Sequence, residues 1–171
     1  PPQKNSGFYL QIPENNDYHL KVGIVWASDH SSAYRRKVCS LEHLSSLFDL
    51  DGITFYGLQF GADAEDLNAY VNRGYVENLA PHLGDFVHTA AIADQMDLII
   101  SIDTYIVHLA GAMCKPVWIM LPYAPDWRWF LNRLDSPWYP TARLFRQPRP
   151  GDWPSLVSEL QTALIQYLAD N

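Results

Sequence analysis

Residues 97–121 read DLIISIDTYIVHLAGAMCKPVWIML, and this stretch decides the fold of the chain. The run from Leu98 to Ile102 is short, apolar and rich in β-branched residues, which indicates a strand buried on both faces. A helix rich in alanine and leucine is predicted to begin near Tyr105 and to end before Lys115-Pro116. A second apolar run, 117–121, follows directly. The stretch therefore predicts a strand–helix–strand unit of a parallel sheet.

The junction between the first of these strands and the helix is a candidate ligand site. Asp103 and Thr104 follow the strand at the edge where open α/β sheets bind their ligands. The unpaired N–H groups at the helix start, together with His108 in its first turn, favour an anion such as a phosphate. The residues fit a structural explanation equally well, in which Asp103 and Thr104 cap the helix and His108 is an interior residue.

Strands and helices alternate along the rest of the chain. Further strands are predicted at 19–26, 53–59, 76–79 and 142–146, and further helices after Ser40, over 60–74, after Asp85 and after Pro154. Ser40 and Asp85 are predicted to be the N-caps of the helices that follow them. The alternation predicts an α/β fold with a doubly wound, mostly parallel sheet of about six strands in the order 3-2-1-4-5-6.

The predicted strand order also brings a basic cluster to the candidate site. Arg35-Arg36-Lys37 lies in the loop 27–40, which this order places across one crevice from the 103–108 junction. Lys37 and His108 would then face the same ligand. The alternative is that the cluster is an ordinary solvated surface patch.

Composition narrows the class of protein. The 171 residues, 48% of them hydrophobic, suit one globular domain, here 19–171, after a lead segment or linker at 1–18. A net charge of -7 disfavours nucleic acid as a partner. Neither a transmembrane segment nor a signal peptide is recognisable, which predicts a cytoplasmic protein. The Pro1-Pro2 start indicates a cut inside a longer chain.

Two other groups of residues are expected to be structural. Cys39 and Cys114 have no metal-ligand spacing and are predicted to be buried thiols, without a disulfide or a zinc site. The segment 122–140, which is dense in Trp, Tyr and Pro, is predicted to pack as a rigid lid over one end of the sheet. The alternative is that its aromatic rings stack on a sugar or a base.

Five stretches together resemble the carboxyl-terminal half of glycosyltransferase family 9, the ADP-heptose heptosyltransferases. The likeness is greatest to the branch found at the end of bacterial tetratricopeptide-repeat proteins. The stretches, which cover most of the chain from Lys21 onward, are KVGIVWASD, RRKVCSLEHL, LQFGADAE, DLIISIDTYIVHLAGAMCKPVWIMLP and DWRWFLNRLDSPWYPTARLFRQ. The resemblance implies a GT-B architecture of two Rossmann-like halves, the second of which holds a nucleoside diphosphate-sugar.

The resemblance also implies roles for single residues. Asp103, Thr104 and His108 match the DTxxxH motif, which holds the diphosphate and the sugar at a helix start. Lys37 falls where the family has a phosphate-contacting lysine, and Glu65 where it has a carboxylate near the ribose. Tyr105 departs from the family, many members of which have glycine or another small residue there. This departure implies a narrower approach to the diphosphate or a different sugar preference.

The implied chemistry is glycosyl transfer, in which an acceptor hydroxyl displaces the nucleoside diphosphate without a metal or another cofactor. Lys37, His108 and the helix N-terminus would stabilise the charge of the leaving group. The catalytic base is expected in an amino-terminal half, so this chain is predicted to hold no catalytic residue and to be inactive alone. The implied partners are a nucleoside diphosphate-sugar, an unidentified acceptor glycan or protein, and the amino-terminal half or a repeat domain of the same polypeptide.

Two other functions remain open at this stage. One is a non-catalytic sugar-nucleotide or protein-interaction module with a degenerate site. The other is a different GT-B enzyme, such as a sugar-nucleotide epimerase, because a fold alone does not fix the chemistry.

Overall fold

The computed structural model describes residues 19–28, 38–71 and 76–170, so the lead segment predicted at 1–18 lies outside the described residues. Within them, six strands form one parallel sheet in the order β3-β2-β1-β4-β5-β6. The strands are β1 (Leu20–Val25), β2 (Ile53–Gly57), β3 (Val76–Asn78), β4 (Leu98–Ile102), β5 (Val117–Leu121) and β6 (Ala142–Arg146). The predicted fold class and strand order are confirmed.

Four α-helices connect or follow these strands: α1 (Leu41–Leu44), α2 (Phe86–Asp94), α3 (Tyr105–Ala112) and α4 (Trp153–Asp170). Short 3-10 helices lie at Ser45–Leu47, Ala62–Ala69, Ala80–His82 and Trp127–Trp129. The helix predicted over 60–74 is thus a 3-10 helix, and its predicted stop at Gly74 lies outside the described residues. Among the described residues, none of the helices combines the length and the hydrophobicity that crossing a bilayer demands.

The core has two layers, one on each face of the sheet. Alternate residues of each strand point to opposite faces, so that Leu98 and Ile100 of β4 pack with α1 and α4, whereas Ile99 packs with α2 and α3. All five side chains of β4 are buried. This explains the unbroken apolar run in the sequence, because a strand covered on both faces has no polar side.

The two predicted N-caps have different outcomes. Asp85 caps α2 as predicted, since its side chain accepts hydrogen bonds from the N–H groups of Val87 and His88. Ser40 occupies the N-cap position of α1, but its side chain makes no cap hydrogen bond, so this part of the prediction was wrong. The N–H of His43 instead donates to the Ser40 carbonyl oxygen, as befits a single turn that continues as a 3-10 helix.

The end of α3 shows why the prediction that Cys114 is buried was wrong. The N–H of Cys114 donates to the Gly111 carbonyl and that of Lys115 to the Ala110 carbonyl, which is the Schellman pattern of hydrogen bonds. This pattern requires a left-handed residue, and Cys114 supplies it with φ +56°. Cys114 is therefore exposed on a turn, not buried as predicted, whereas Cys39 is buried and its burial raises the pKa of the thiol to about 12.

Candidate functional site

A cleft of about 470 Å³ opens at the carboxyl edge of the sheet, beside β1, where the direction of the strand order reverses. Open α/β sheets bind their ligands at this topological switch point. The described lining comes from the ends of three adjacent strands and the residues that follow them: Val25, Ala27 and Ser28; Gln59, Phe60, Gly61, Ala62 and Asp63; and Asp103, Thr104 and Tyr105.

One wall of the cleft is fixed by Gln59. Its side-chain oxygen accepts hydrogen bonds from the N–H groups of Trp26, at 3.2 Å, and Ala27, at 2.9 Å, and its side-chain amide donates to the carbonyl of Phe60. Gln59 is buried, so these bonds compensate the loss of hydration. The side chain therefore ties the chain leaving β1 to the chain leaving β2.

The start of α3 forms the opposite wall. Thr104 is the N-cap residue, yet its side chain makes no cap hydrogen bond and lies instead with Oγ1 3.2 Å from Oγ of Ser101. Asp103 is buried in the same wall. The capping explanation therefore does not hold for the Thr104 side chain, which gives the first-turn N–H groups of α3 no hydrogen bond.

Tyr105 lines the cleft without filling it. Its ring packs edge-on against Phe86 of α2, with the ring centroids 5.7 Å apart, and its hydroxyl is hydrogen-bonded to Thr89 of the same helix. Burial by these contacts raises the pKa of Tyr105. The large side chain is thus held against α2, and the cleft of about 470 Å³ remains beside it.

The side chain of His108 has different neighbours from the side chains of Asp103 and Thr104. Its Nδ1 lies 2.9 Å from the hydroxyl of Tyr139 and its Nε2 lies 3.3 Å from Nη1 of Arg128. The ring also stacks on Trp129, with centroids 5.8 Å apart. His108 is not part of the described cleft lining, so the structure brings Asp103 and Thr104 together and sets His108 against the aromatic segment 122–140.

Gly111 allows this arrangement. It lies one turn after His108 on the same face of α3, and a Cβ at this position would be 2.4 Å from the ring of Tyr139. Glycine therefore lets the tyrosine lie close enough to the helix for its hydroxyl to reach His108. The three-residue spacing of His108 and Gly111 in HLAGA therefore lets Tyr139 pack against the helix and contact His108.

The aromatic segment is only partly a packed lid. Trp129 is buried and Tyr139 is half-buried, as the packing interpretation predicts. Trp127 and Trp138 are 75% and 54% exposed, although Nε1 of Trp138 donates to the carbonyl of Arg128. The segment therefore packs through one side and leaves the other side open.

The charge of the cleft is set by carboxylates. Its described lining contains Asp63 and Asp103 but neither lysine nor arginine. Glu65 is exposed on the Ala62–Ala69 helix and is not among these lining residues, whereas Asp63, two residues earlier, is. Lys37 lies outside the described residues, so its predicted role stays a prediction.

Metal ligands are not grouped in the part of the chain that the structure describes: no three His, Cys, Asp or Glu residues there are placed to hold an ion together. The carboxylates of the cleft are instead suited to accept hydrogen bonds from hydroxyl groups, such as those of a ribose or another sugar.

Gln59 and Arg128 were not singled out from the sequence, and Tyr139 was considered only among the aromatic residues that could pack as a lid or stack on a ligand. Gln59 could have been noticed as a polar residue at the end of an apolar strand. Arg128 and Tyr139 lie in the segment whose resemblance was noted, but they are 20 and 31 residues from His108, and no local spacing links them to it.

Comparison with known proteins supports the fold. The chain resembles three solved structures: E. coli heptosyltransferase WaaC with ADP-2-deoxy-2-fluoro heptose (TM-score 0.62, 19% identity), E. coli ADP-heptose lps heptosyltransferase II (0.61, 17%) and a glycosyl transferase family 9 protein of Veillonella parvula (0.66, 15%). The matches cover 92–93% of this chain and 45%, 54% and 48% of those chains. The chain thus has the heptosyltransferase-like, Rossmann-like fold of about half of a family 9 enzyme.

One curated relative matches by sequence, and no protein-family model matches. Protein FlbA of Caulobacter vibrioides is 31% identical over 157 residues, which are 87% of this chain. The chain spans only about a quarter of that relative, 26% of its length.

Proposed function

We propose that this chain is the donor-binding half of a heptosyltransferase-like glycosyltransferase and that its cleft binds a nucleoside diphosphate-sugar. The observation that carries the proposal is the cleft of about 470 Å³ at the switch point of the sheet, beside the start of α3, which the Thr104 side chain does not cap. Such a cleft has the size of a small-molecule site. A helix N-terminus at its wall favours a phosphate.

The residues of the cleft have distinct parts in this proposal. The N–H groups at the start of α3 and the hydroxyl of Thr104 donate to the diphosphate. Asp63 and Asp103 accept hydrogen bonds from sugar hydroxyls. Phe60, 61% exposed at the cleft, offers an apolar ring on which a base can stack. Adenine is the first base to test, because E. coli WaaC was solved with ADP.

The acceptor site and the catalytic base belong, on this proposal, to a part of the polypeptide outside this chain. The solved family 9 structures are about twice as long as the part that this chain matches. The leaving group is stabilised electrostatically, without a metal, and a general base elsewhere takes the proton of the acceptor hydroxyl. The chain alone therefore binds donor without turning it over.

Thermal unfolding with and without ADP, GDP, UDP and AMP tests the proposal. A ligand that binds only the native state at 100 times its Kd adds about 2.7 kcal/mol to the free energy of unfolding. For a domain of this size that raises Tm by about 5–10 °C. At least one diphosphate should do so, and AMP should have a smaller effect. If none of the four raises Tm at millimolar concentration, the proposal is wrong.

A variant pair locates the binding site in the cleft. Thr104→Val removes a donor at the wall while keeping the shape of the side chain, and should weaken diphosphate binding about 10-fold. Thr162→Val is the matched control, since Thr162 lies exposed on α4 and its hydroxyl donates to the carbonyl of Ser158. Equal effects of the two changes would place the ligand elsewhere.

A non-catalytic interaction module is the second candidate. It is favoured by the exposed apolar side chains of Trp127, Leu131 and Leu134, which are 75%, 70% and 71% exposed. Exposed apolar residues grouped in one segment are typical of protein contacts. This candidate predicts no nucleotide-dependent change in Tm, so the same unfolding experiment separates the two functions.

A further inference from the structure

The described cleft has no cation of its own, although the proposed ligand carries a diphosphate. Both ionisable side chains in its described lining, other than Tyr105, are carboxylates. A diphosphate beside Asp63 and Asp103 needs compensating positive charge from a neighbouring element. Among the described residues, His108 would be the expected source from its position in the first turn of α3.

The contacts of His108 argue against that role. A guanidinium is always protonated and only donates, so Nη1 of Arg128 must donate to Nε2 of His108. Nε2 then carries no hydrogen, and the ring proton lies on Nδ1, which donates to the hydroxyl of Tyr139. His108 is thus a neutral ring with both nitrogens already engaged, and it offers no free N–H to a phosphate.

Arg128 is the charged group at this position. Oδ1 of Asp126 accepts from both the backbone N–H and Nε of Arg128, at 3.2 Å and 2.9 Å. Asp126 therefore fixes Nε of the guanidinium, and His108 fixes Nη1. Its Nη2 makes no hydrogen bond to any described residue, and the side chain is 37% exposed. A planar donor group that is held in place and partly open suits a phosphate.

Arg128 also lies near the start of α3. His108 follows Tyr105 by three residues, which is roughly 4.5 Å along the helix axis. Helical side chains lean toward the N-terminus, so the ring of His108, and the guanidinium bound to it, lie closer still to the first-turn N–H groups. Arg128 can then bind the same anion as those N–H groups.

A second arginine increases the positive charge of this region. Nη2 of Arg146 donates to the carbonyl of Trp129, and its Nη1 is buried without a hydrogen-bond partner among the described residues. Burial lowers the pKa of Arg146, and none of the ion pairs found in the described part of the chain involves it. An anion bound nearby would compensate this charge.

We propose that Arg128, held by Asp126 and His108, is a cation that binds the diphosphate of the nucleotide. His108 and Tyr139 are positioning residues: Tyr139 accepts from Nδ1 and holds the ring of His108, and His108 orients the guanidinium. This inference rests on the proposed function, and it replaces a direct contact from His108 with one from Arg128.

The test compares calorimetric affinities of the 171-residue chain for a nucleoside diphosphate and for the matching nucleoside, starting with ADP and adenosine. Arg128→Gln should weaken diphosphate binding about 10- to 100-fold and nucleoside binding less than about 3-fold. Arg128→Lys should give an intermediate loss of diphosphate affinity, since the charge remains but the planar set of guanidinium donors is lost. Arg133→Gln is the matched control, because Arg133 lies in the same segment, exposed and paired with Asp135.

His108→Gln and Tyr139→Phe test the positioning roles. Each should reduce the diphosphate affinity more than the nucleoside affinity, by about 3- to 10-fold, which a purely structural role would not do. Thermal unfolding of each variant checks that it is folded. NMR of the wild type with nitrogen-15 histidine should find the His108 hydrogen on Nδ1.

The outcomes separate this inference from the proposed function. If the wild type binds no nucleoside diphosphate, both are wrong. If it binds one and Arg128→Gln weakens that binding no more than Arg133→Gln, the cleft is a nucleotide site but Arg128 is not its cation. A hydrogen on Nε2 of His108 would also overturn the inference, because Arg128 could not then donate to it.

Discussion

Gly111 and Tyr139 are in such close contact that a Cβ on residue 111 would lie 2.4 Å from the tyrosine ring. The contact joins two segments 28 residues apart and places the hydroxyl of Tyr139 2.9 Å from Nδ1 of His108. The small residue in α3 and the aromatic residue after β5 are thus parts of one arrangement, and the position of His108 depends on both.

Gly111→Ala should destabilise the chain even though alanine is the better helix former. The gain in helix propensity is about 1 kcal/mol, whereas overpacking a buried contact costs about 1–3 kcal/mol and also displaces Tyr139. We expect a net loss of about 1–2 kcal/mol in urea unfolding. Gly84→Ala is the control, since its Cβ would meet only Nδ1 of His88, at 3.7 Å. Equal stability of the two variants would contradict the packing argument.

Gln59→Leu should destabilise the chain and disturb the cleft. Leucine has a similar volume but leaves the N–H groups of Trp26 and Ala27 without an acceptor. We expect a loss of about 2–4 kcal/mol in the free energy of unfolding, because each buried orphan donor costs about 1–3 kcal/mol. Gln166→Leu on α4, where the side chain bonds only Asp170, should change it by less than about 0.5 kcal/mol. A small effect at Gln59 would mean that water replaces its oxygen.

Asp85→Ala should lower Tm at neutral pH, and the difference from the wild type should shrink in acid. Hydrogen bonds from the backbone and side chain of His88 hold the pKa of Asp85 below its ordinary value. A carboxylate with a depressed folded-state pKa stabilises the protein above its unfolded-state pKa, and this contribution disappears as the pH falls through the folded-state value. Thermal unfolding curves of both proteins between pH 7 and pH 2 measure this difference in Tm. Asp51→Ala, in the exposed turn before β2, should show little change at neutral pH.

Cys114→Gly should stabilise the chain. Cys114 has φ +56°, a left-handed conformation that costs an L-residue about 1 kcal/mol and costs glycine nothing. We expect a gain of about 0.5–1 kcal/mol, reduced by the greater entropy of glycine in the unfolded chain. Cys114→Ser keeps the strained conformation and should give no gain. Equal stabilisation by both substitutions would attribute the effect to loss of the thiol.

The alternation of strands and helices could be predicted because it follows from local patterns, and the strand order is the one common to doubly wound sheets. The buried runs at 98–102 and 117–121, separated by a helix of small residues, define a parallel crossover, and the observed β4, α3 and β5 have these bounds. The cap at Asp85 is equally local, because a carboxylate directly before a helix reaches N–H groups two and three residues on.

The contents of the candidate site were only partly predictable. Asp103 and Thr104 lie in the cleft wall because they follow β4, as the sequence indicated. The direction of the His108 side chain depends instead on Tyr139 and Arg128, which come from segments after β5. Asp63 rather than Glu65 lines the cleft, because side chains two residues apart in a helical turn point to different sides.

The sequence by itself therefore determined the sheet, its strand order and the edge at which a ligand would bind, because apolar periodicity and turn residues act over short distances. Only the tertiary structure decided that Gln59 ties together two walls of the cleft, that Tyr105 lies against α2, and that His108 contacts Arg128. These contacts join residues 16 to 33 positions apart, and their geometry exists only once the layers have packed.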